Sequence, residues 1–254
     1  GGMRLADAMA GAGVDPGALG PDPGLLAGIS AYVELHIEQG SALAGLGAAV
    51  GLAEAIWAHG RWRLDFTGQP DHAGTTRIGD RHDPMLPFAA TALAARGAAA
   101  HHGALATFGK VVAEPGAANA ISAQVSAWLD ARAADDAALD ALVTGISQVA
   151  QQQAARHGVG CAIRRESFTP RVEFDHGLRG QLASALAARG ITAPVLPTGA
   201  GHDAGVLAAQ LPTAMLFVRN PSGVSHSPAE HASAADCEAG VTALAAVLTE
   251  LACQ

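Results

Sequence analysis

The sequence predicts an α/β fold in which one α/β unit is interrupted by a smaller, ferredoxin-like unit with the order βαββαβ. In the last third of the chain, helices and strands alternate, which is typical of a parallel α/β sheet. In the middle third, strict alternation of apolar and polar residues indicates half-exposed strands between two long helices. Apolar residues make up 50% of the 254 residues, which is enough to build a core and excludes global disorder.

The first third combines a short helix, a loop and an unusual strand. Residues 3–12 have helical apolar spacing, and the glycines and prolines that follow predict a loop. In residues 31–40 (AYVELHIEQG), apolar side chains alternate with the ionisable Glu34, His36 and Glu38. This pattern predicts a strand with one buried face and one polar face.

The middle block is predicted to be a small sheet with two helices. Two strands are expected within residues 50–66, with a turn near His59 and Gly60. The remaining elements follow in chain order: a helix over residues 84–100, strands over 105–112 and 121–132, a helix over 135–156 and a strand near 161–166.

After Pro170 the pattern returns to that of an α/β unit. It predicts a helix over residues 176–189, a short strand, a glycine-rich turn, a helix, a strand over 213–218 and a final helix over 234–252. We therefore divide the chain into an α/β domain built from residues 1–56 and 172–254, and an inserted domain of residues 57–171.

Composition excludes several classes of protein. The formal net charge is -8, from 15 Lys and Arg against 23 Asp and Glu, and without a basic run this argues against nucleic-acid binding. No segment approaches the ~18–20 apolar residues of a membrane span, and no apolar signal segment is seen. Three scattered cysteines imply neither a disulfide framework nor a Cys-based zinc site. We expect a cytoplasmic, globular protein.

Histidines mark the candidate site. Three of the 11 lie in polar, glycine-containing segments: residues 71–76 (DHAGTT), 199–204 (GAGHDA) and 222–230 (SGVSHSPAE). Glycine lets the backbone approach a ligand, and neutral imidazole is a common metal ligand and acid or base. A single histidine is more often an ordinary hydrogen-bonded residue, but three such clusters and a histidine on a polar strand favour a functional site.

These segments resemble the motifs of the M20-type metallo-amidohydrolases, which include allantoate amidohydrolase, N-carbamoyl-L-amino acid hydrolase and β-ureidopropionase. Residues 34–40 (ELHIEQG) are similar to the signature of this family. Three further motifs follow in the family's order, in residues 72–76, 201–204 and 225–230. The resemblance implies a metal-binding α/β domain of the phosphorylase/hydrolase-like, aminopeptidase type, interrupted by a lid and dimerisation domain.

The resemblance also implies a site with two divalent metal ions. His36 resembles a ligand of one ion and His226 a ligand of the second, while His202 and Asp203 are expected to orient the site from behind the ligands. Imidazole and carboxylate ligands suit zinc, manganese, cobalt or nickel, so the motifs leave the metal open.

For the substrate, the resemblance implies contacts from both domains. Gln39 matches a polar position beside the substrate, and His72 matches a lid histidine that stabilises the oxyanion. Asn119 and Arg132 resemble the lid pair that grips the substrate, with Arg132 offering a planar fork for a carboxylate. Arg61 matches a further basic contact, although a solvated strand face explains Arg61 equally well.

The spacing of two of these residues predicts a homodimer. Asn119 and Arg132 are separated by 13 positions, nearly all in one predicted strand, which would place them roughly 40 Å apart. Both can reach one small substrate only if one of them comes from a partner subunit, so we expect composite active sites.

The resemblance departs from the family at the front of the chain. Members place another histidine, a bridging aspartate and two glutamates upstream of the strand at residues 34–40. Residues 1–33 contain neither His nor Glu, so the chain resembles the C-terminal two-thirds of an amidohydrolase and is expected to be inactive alone. Residues 77–78 and 120–122 also differ from the common family pattern, which leaves substrate identity open.

For the intact protein, the resemblance implies hydrolysis of the terminal ureido C–N bond of a small carboxylate, either allantoate or an N-carbamoyl-L-amino acid, with release of ammonia and carbon dioxide. Two alternatives stay open. One is an M20-type peptidase or aminoacylase that acts on ordinary amide bonds, and the other is a dimerisation remnant without catalytic activity.

Overall fold

In the computed structural model, residues 2–20 and 22–252 are described, and they form two main sheets. The helices are α1 (Leu5–Gly11), α2 (Pro23–Leu26), α3 (Ala42–Leu46), α4 (Met85–His101), α5 (Asp136–Arg156), α6 (His176–Ala187), α7 (Asp203–Leu207) and α8 (Ala234–Ala252). The strands are β1 (Tyr32–Ile37), β2 (Val50–Ile56), β3 (Ala58–Thr67), β4 (Asp71–His72), β5 (Leu105–Glu114), β6 (Ala120–Ile121), β7 (Gln124–Ala133), β8 (Gly160–Thr169), β9 (Val172–Glu173), β10 (Val195–Thr198) and β11 (Thr213–Val218). Short 3-10 helices occur at Pro16–Ala18 and Ile78–Asp80.

The first sheet has the order β1-β11-β2-β10, and β9 pairs with the far end of β2. The pairs β1–β11 and β2–β10 are parallel, but β2 runs antiparallel to β11 and β9. The expected parallel sheet is therefore a mixed one, because β2 enters from the other end and leaves directly into the second sheet. The strand predicted at residues 31–40 is confirmed as β1, and the strand at 213–218 as β11.

Helices cover both faces of the first sheet. On one face, α6 and α8 pack through Leu182, Leu186 and Val247 against Leu52 and Leu216. On the other face, short helices α3 and α7 contribute the second apolar cluster of this sheet, whose members are Leu43, Ala53, Ile56, Phe174, Ala204, Met215 and Phe217. All strand residues of β11 are buried, as expected for a strand covered on both sides.

The second sheet has the order β5-β7-β3-β8, with α4 and α5 on one face. Its main elements follow in the order β3-α4-β5-β7-α5-β8, which confirms the predicted βαββαβ arrangement. In β3, Trp62, Leu64 and Phe66 are buried, while Arg61 is exposed on the opposite face. The Asp135 side chain accepts a hydrogen bond from the Ala138 amide at 2.7 Å and caps the start of α5.

Two sequence predictions about strand limits are wrong. The turn expected near His59 and Gly60 is absent from the described structure, since β3 runs through both residues and the break between β2 and β3 lies at Trp57. The strand expected over residues 121–132 is divided into β6 and β7. Strand β6 pairs with β4, whereas β7 pairs with β3 and β5, so the partner changes although the alternation of side chains continues.

The first 30 residues contain more helix than the sequence indicates. The helix predicted over residues 3–12 is shorter, as α1, and the predicted loop holds a 3-10 helix and α2. The Asp15 and Asp22 side chains accept backbone hydrogen bonds at the starts of these two elements, with a proline in the first turn of each. The division of the chain at residues 56/57 and 171/172 stays a prediction.

Among the described residues, none of the helices has both the length and the apolar character that a membrane crossing requires.

The packing of the second sheet predicts how substitutions in α4 and α5 change the free energy of unfolding. Leu142 in α5 is 1% exposed within this core, whereas Leu93 in α4 is 76% exposed. We expect Leu142→Ala to lower the free energy of unfolding by about 2–5 kcal/mol, because it leaves a cavity. The matched variant Leu93→Ala is expected to change it by less than about 0.5 kcal/mol. Urea denaturation of both variants measures this, and equal effects would contradict the assigned packing of α5.

Candidate functional site

The candidate site begins at strand β1, which carries Glu34 and His36 on one face. Side chains alternate sides along a strand, and Val33 and Leu35 point into the core beneath α6 and α8. Glu34 therefore faces the opposite side, where its Oε2 accepts a hydrogen bond from the Ala204 amide of α7 at 2.7 Å. This bond joins β1 to the first turn of α7, directly after His202.

Glu34, His36 and His202 form a candidate metal-binding cluster. One potential ligand atom from each residue lies within 4.8 Å of the other two. The His36 and His202 rings are arranged edge to face with centroids 4.6 Å apart, and His202 Nδ1 lies 3.7 Å from Glu34 Oε1. The His202 side chain is 1% exposed and that of Glu34 is 13% exposed. Two imidazoles and a carboxylate are a donor set that zinc and related ions accept.

The His36 and His202 rings each have a nitrogen without a proton, which can donate its lone pair to a metal ion. His36 Nδ1 donates its proton to the Ile37 carbonyl oxygen at 2.7 Å, so Nε2 of the neutral ring has no proton. Burial, and then the neighbouring His36, lower the pKa of His202 to about 4, although Asp203 acts in the opposite direction. His202 is therefore neutral near pH 7. The residues present fit a divalent metal ion.

The charge of Glu34 also affects Tyr32 on the same face of β1. Burial raises the pKa of the Tyr32 hydroxyl, and the negative charges of Glu34 and Asp203 raise it further. Tyr32 therefore remains a neutral phenol beside the cluster at physiological pH.

An open cleft of about 310 Å³ is lined by residues of the second sheet and by loops that leave the first sheet. Its lining consists of Gln39, Leu105, Arg132, Gly199, Ala200, Ser225 and His226. Gln39 follows His36 by three positions, and Gly199 and Ala200 belong to the same turn as His202. Three residues predicted for the site, Gln39, Arg132 and His226, therefore meet in one cleft.

Arg132 reaches this cleft from the end of β7 and is held by two partners. Its Nε and Nη2 donate to the Asp130 carboxylate at 2.7 and 3.1 Å, and Nη1 donates to the Gly199 carbonyl oxygen. A guanidinium has five N–H groups, so one on Nη1 and one on Nη2 remain after these contacts. Asp130 therefore occupies the Nε–Nη2 side of the guanidinium. The remaining N–H groups on Nη1 and Nη2 are available to a carboxylate.

Arg61 shares Asp130 with Arg132. Its Nε lies 3.5 Å from Asp130 Oδ2, and its side chain is 67% exposed. Burial raises the pKa of Asp130, but the hydrogen bonds and charges of Arg132 and then Arg61 outweigh it and hold the pKa below its usual range. Arg61 does not line the cleft, and both readings of this residue, substrate contact and solvated face, stay open.

The turn that carries His226 is held by Glu230. His226 has a φ of 56°, which residues other than glycine rarely adopt. Its backbone amide donates to Glu230 Oε2 at 3.1 Å. Ser225 Oγ donates to Glu230 Oε1 at 3.1 Å and accepts from Gln39 Nε2 at 3.2 Å. Since the Gln39 amide nitrogen is used in this chain, the side-chain carbonyl oxygen of Gln39 remains as an acceptor.

His72 and Asn119 lie elsewhere, at the other end of β7. His72 is in β4, which pairs with β6, and the Ala73 amide donates to the Asn119 carbonyl oxygen at 3.0 Å. From Gln124 to Arg132, eight steps of about 3.3 Å separate the two ends of β7 by roughly 26 Å. Asn119 lies beyond Gln124, so the structure groups His72 with Asn119 and keeps both away from Arg132 of the same chain.

A larger cavity of about 570 Å³ lies between the start of β2 and α8. Its lining is mostly small and apolar and includes no histidine or arginine. We assign the candidate functional site to the smaller cleft, because Arg132 and His226 line it and its wall includes part of the turn that carries His202.

The candidate cluster contains two residues that the sequence analysis did not propose as ligands. His202 was expected to orient the site from behind the ligands, and it lies close enough to Glu34 and His36 to share an ion with them, while Glu34 was not singled out as a ligand. The alternation in residues 31–40 contained the signal for Glu34, since it placed Glu34 on the same face as His36. The expected pairing of His36 with His226 as holders of two ions stays a prediction.

The profile of the peptidase family M20/M25/M40 matches residues 6–250. The chain belongs to this family. This confirms the resemblance drawn from the four motifs. The N-carbamoyl-L-amino acid amidohydrolase of Geobacillus stearothermophilus is 34% identical, with 99% of this chain and 62% of that protein covered. The allantoate amidohydrolase of Escherichia coli is 32% identical, with 89% and 56% covered.

Solved structures of the family have the same fold. A hydantoinase/carbamoylase family amidase from Burkholderia ambifaria matches with a TM-score of 0.81 and 32% identity, over 98% of this chain and 60% of that one. AtUAH in complex with (S)-hydroxyglycine matches with a TM-score of 0.83 and 28% identity, over 89% and 54%. The chain therefore spans little more than half the length of these relatives.

The candidate metal cluster predicts that the chain binds Zn²⁺ through His202. We expect the chain to bind Zn²⁺, and His202→Ala to weaken binding by at least about tenfold, because a buried neutral imidazole is lost. Competition with a chromophoric chelator measures the affinity, and X-ray absorption at the zinc edge should count one imidazole fewer. His176→Ala, at an exposed histidine that begins α6, is the control. Unchanged affinity and imidazole count in His202→Ala would exclude His202 as a ligand.

Proposed function

We propose that this chain contributes the substrate cleft and part of the metal site of an enzyme that hydrolyses the terminal ureido C–N bond of a small carboxylate. The observation that carries the proposal is the position of Arg132. It borders the same cleft as the turn that holds His202 in the metal cluster. A carboxylate gripped by Arg132 would leave the other end of a small substrate beside Glu34, His36 and His202.

In this proposal, Glu34, His36 and His202 hold a divalent ion, and His226 contributes to a second. A divalent metal supplies Lewis-acid polarisation of a carbonyl and lowers the pKa of water. Zinc, manganese, cobalt and nickel all suit these donors. Further ligands and the general base would come from outside residues 1–254, from the same polypeptide or from another chain.

The substrate would be held at both ends by groups of opposite character. The free end of the Arg132 guanidinium would bind the carboxylate through two N–H groups, and Asp130 would fix its direction. The Gln39 side-chain carbonyl oxygen would accept an N–H of the ureido group, because its Nε2 donates to Ser225, which in turn donates to Glu230. Substrates with both an anionic group and N–H donors are therefore favoured.

His72 and Asn119 would act from a partner subunit. Because β7 separates them from Arg132, we propose a homodimer in which each active site combines the cleft of one chain with His72 and Asn119 of the other. Residues 57–171 would then serve as a lid and dimerisation domain. His72 would stabilise the oxyanion that develops when the ureido carbonyl is attacked.

The relatives support a ureido substrate. Those named above are an allantoate amidohydrolase and an N-carbamoyl-L-amino acid amidohydrolase, and both names describe hydrolysis beside a ureido or carbamoyl group. For this protein we propose allantoate or an N-carbamoyl-L-amino acid as substrate, with ammonia and carbon dioxide among the products, and a cytoplasmic location.

A panel of substrates tests the reaction. The protein would be expressed with the coding sequence upstream of Gly1, loaded with Zn²⁺ or Mn²⁺, and assayed with allantoate, N-carbamoyl, N-acetyl and dipeptide substrates. We expect ammonia from the first two and at least about 100-fold lower kcat/KM for the others, since these lack the terminal ureido nitrogen. The 254-residue chain alone is expected to be inactive. Preference for dipeptides or N-acetyl amino acids would establish the peptidase alternative, and inactivity with every substrate would favour a dimerisation remnant.

Mixing of variants tests the composite site. Homodimers of His72→Ala or Arg132→Ala should each lose most activity. When the two are unfolded and refolded together, half of the dimers are mixed, and each holds one intact site of two. Activity should therefore recover to about a quarter of the parent value. Mixing two preparations of the same variant is the control. Absence of recovery despite mixed dimers would show that His72 and Arg132 act from one chain.

A further inference from the structure

The loop that carries His72 is held by hydrogen bonds of its own, although His72 and Gly74 are exposed. The Gly74 amide donates to His72 Nδ1 at 2.9 Å, and the His72 amide donates to Asp71 Oδ1 at 2.8 Å. Thr76 Oγ1 donates to the His72 carbonyl oxygen at 2.8 Å. The imidazole of His72 is therefore fixed by its own loop and does not rely on the metal cluster.

We propose that the backbone amide of Gly74 is a positioning group that fixes the tautomer of His72, so that Nε2 always presents an N–H to the substrate. An amide N–H can donate only to a ring nitrogen without a proton. Nδ1 is consequently the acceptor, and the neutral ring carries its proton on Nε2. This inference rests on the proposed function in one respect, that His72 serves the oxyanion.

The geometry explains why this position is a glycine. A Cβ at residue 74 would lie 3.1 Å from His72 Cε1, which is tighter than most Cβ contacts, and 3.4 Å from Nδ1, which is an ordinary contact distance. Alanine would therefore push the ring away from the amide that orients it. The backbone φ of Gly74 is not in the left-handed region, so the constraint comes from the imidazole and not from backbone strain.

Arg81 holds the rest of the loop. Its guanidinium donates to the Ala73 carbonyl oxygen at 2.7 Å, and to the Thr76 carbonyl oxygen at 3.0 and 3.1 Å. These bonds close the loop around Gly74. The Ala73 amide donates to the Asn119 carbonyl oxygen, so the same loop also fixes the backbone of Asn119 beside His72. We therefore assign Arg81 as a second positioning residue for His72.

A direct test uses the chain itself and needs no substrate. In uniformly ¹⁵N-labelled protein at about pH 8.5, where imidazoles are neutral, a scalar coupling between the Gly74 amide nitrogen and His72 Nδ1 is expected across the hydrogen bond. Long-range ¹H–¹⁵N spectra should show the proton of His72 on Nε2. A missing coupling, or a mixture of tautomers in the parent chain, would overturn the proposal.

Two pairs of variants separate positioning from general folding. Gly74→Ala should abolish the coupling and give a mixture of tautomers, whereas Gly79→Ala, where an added Cβ meets nothing within 4 Å, should leave both unchanged. Arg81→Met should speed hydrogen exchange of the Gly74 amide by about tenfold or more. Arg77→Met is its control, since the Arg77 side chain makes no hydrogen bond or ion pair with the described residues. Equal behaviour within either pair would contradict the corresponding role.

In the active, metal-loaded protein, Gly74→Ala should lower kcat at least about tenfold with little change in KM, because a donor used in the transition state is misplaced. The positioning role of Gly74 and the proposed hydrolysis of ureido compounds are tested separately by these measurements. A coupling present in a protein that hydrolyses no ureido compound would leave the positioning role intact and overturn the proposed function. An active enzyme without the coupling would overturn the positioning role alone.

Discussion

The site depends on one hydrogen bond, from the Ala204 amide to the Glu34 carboxylate. It joins strand β1 to the first turn of helix α7, 170 positions later in the chain. Because the turn is held there, His202 packs against His36, and the Gly199 carbonyl oxygen is in place to accept from Arg132. The candidate metal cluster and the Arg132 end of the cleft are therefore both linked to this contact. A carboxylate as shielded from water as that of Glu34 needs such a partner, since an unpaired one would be costly to keep charged.

The length of β7 imposes the second constraint. A strand of ten residues keeps its ends apart, so one chain cannot bring both ends to a small molecule. Arg132 is held at one end by contacts with the first sheet, and the His72 loop is held at the other by contacts of its own. Each group of candidate residues is thus held by hydrogen bonds of its own, and the two groups stay apart within the chain.

Much of the fold followed from local pattern. Alternation of side chains located β1 and β3, and the apolar run at β11 gave its limits without error. Pattern failed where a strand changed its partner. Alternation continues from β6 into β7, although the first pairs with β4 and the second with β3 and β5. The alternation of apolar and polar residues shows which side of the sheet each side chain faces. It does not show which strand the backbone pairs with.

The sequence by itself determined the family, through four short motifs in order, and the residue types that the chemistry needs. Only the tertiary structure decided which of them meet. It brought His202 together with Glu34 and His36, joined Gln39 and His226 with Arg132, and separated all of these from His72. The reason is physical: a motif specifies its own loop, whereas the distance between two loops is set by sheet order, strand length and the packing of helices between them.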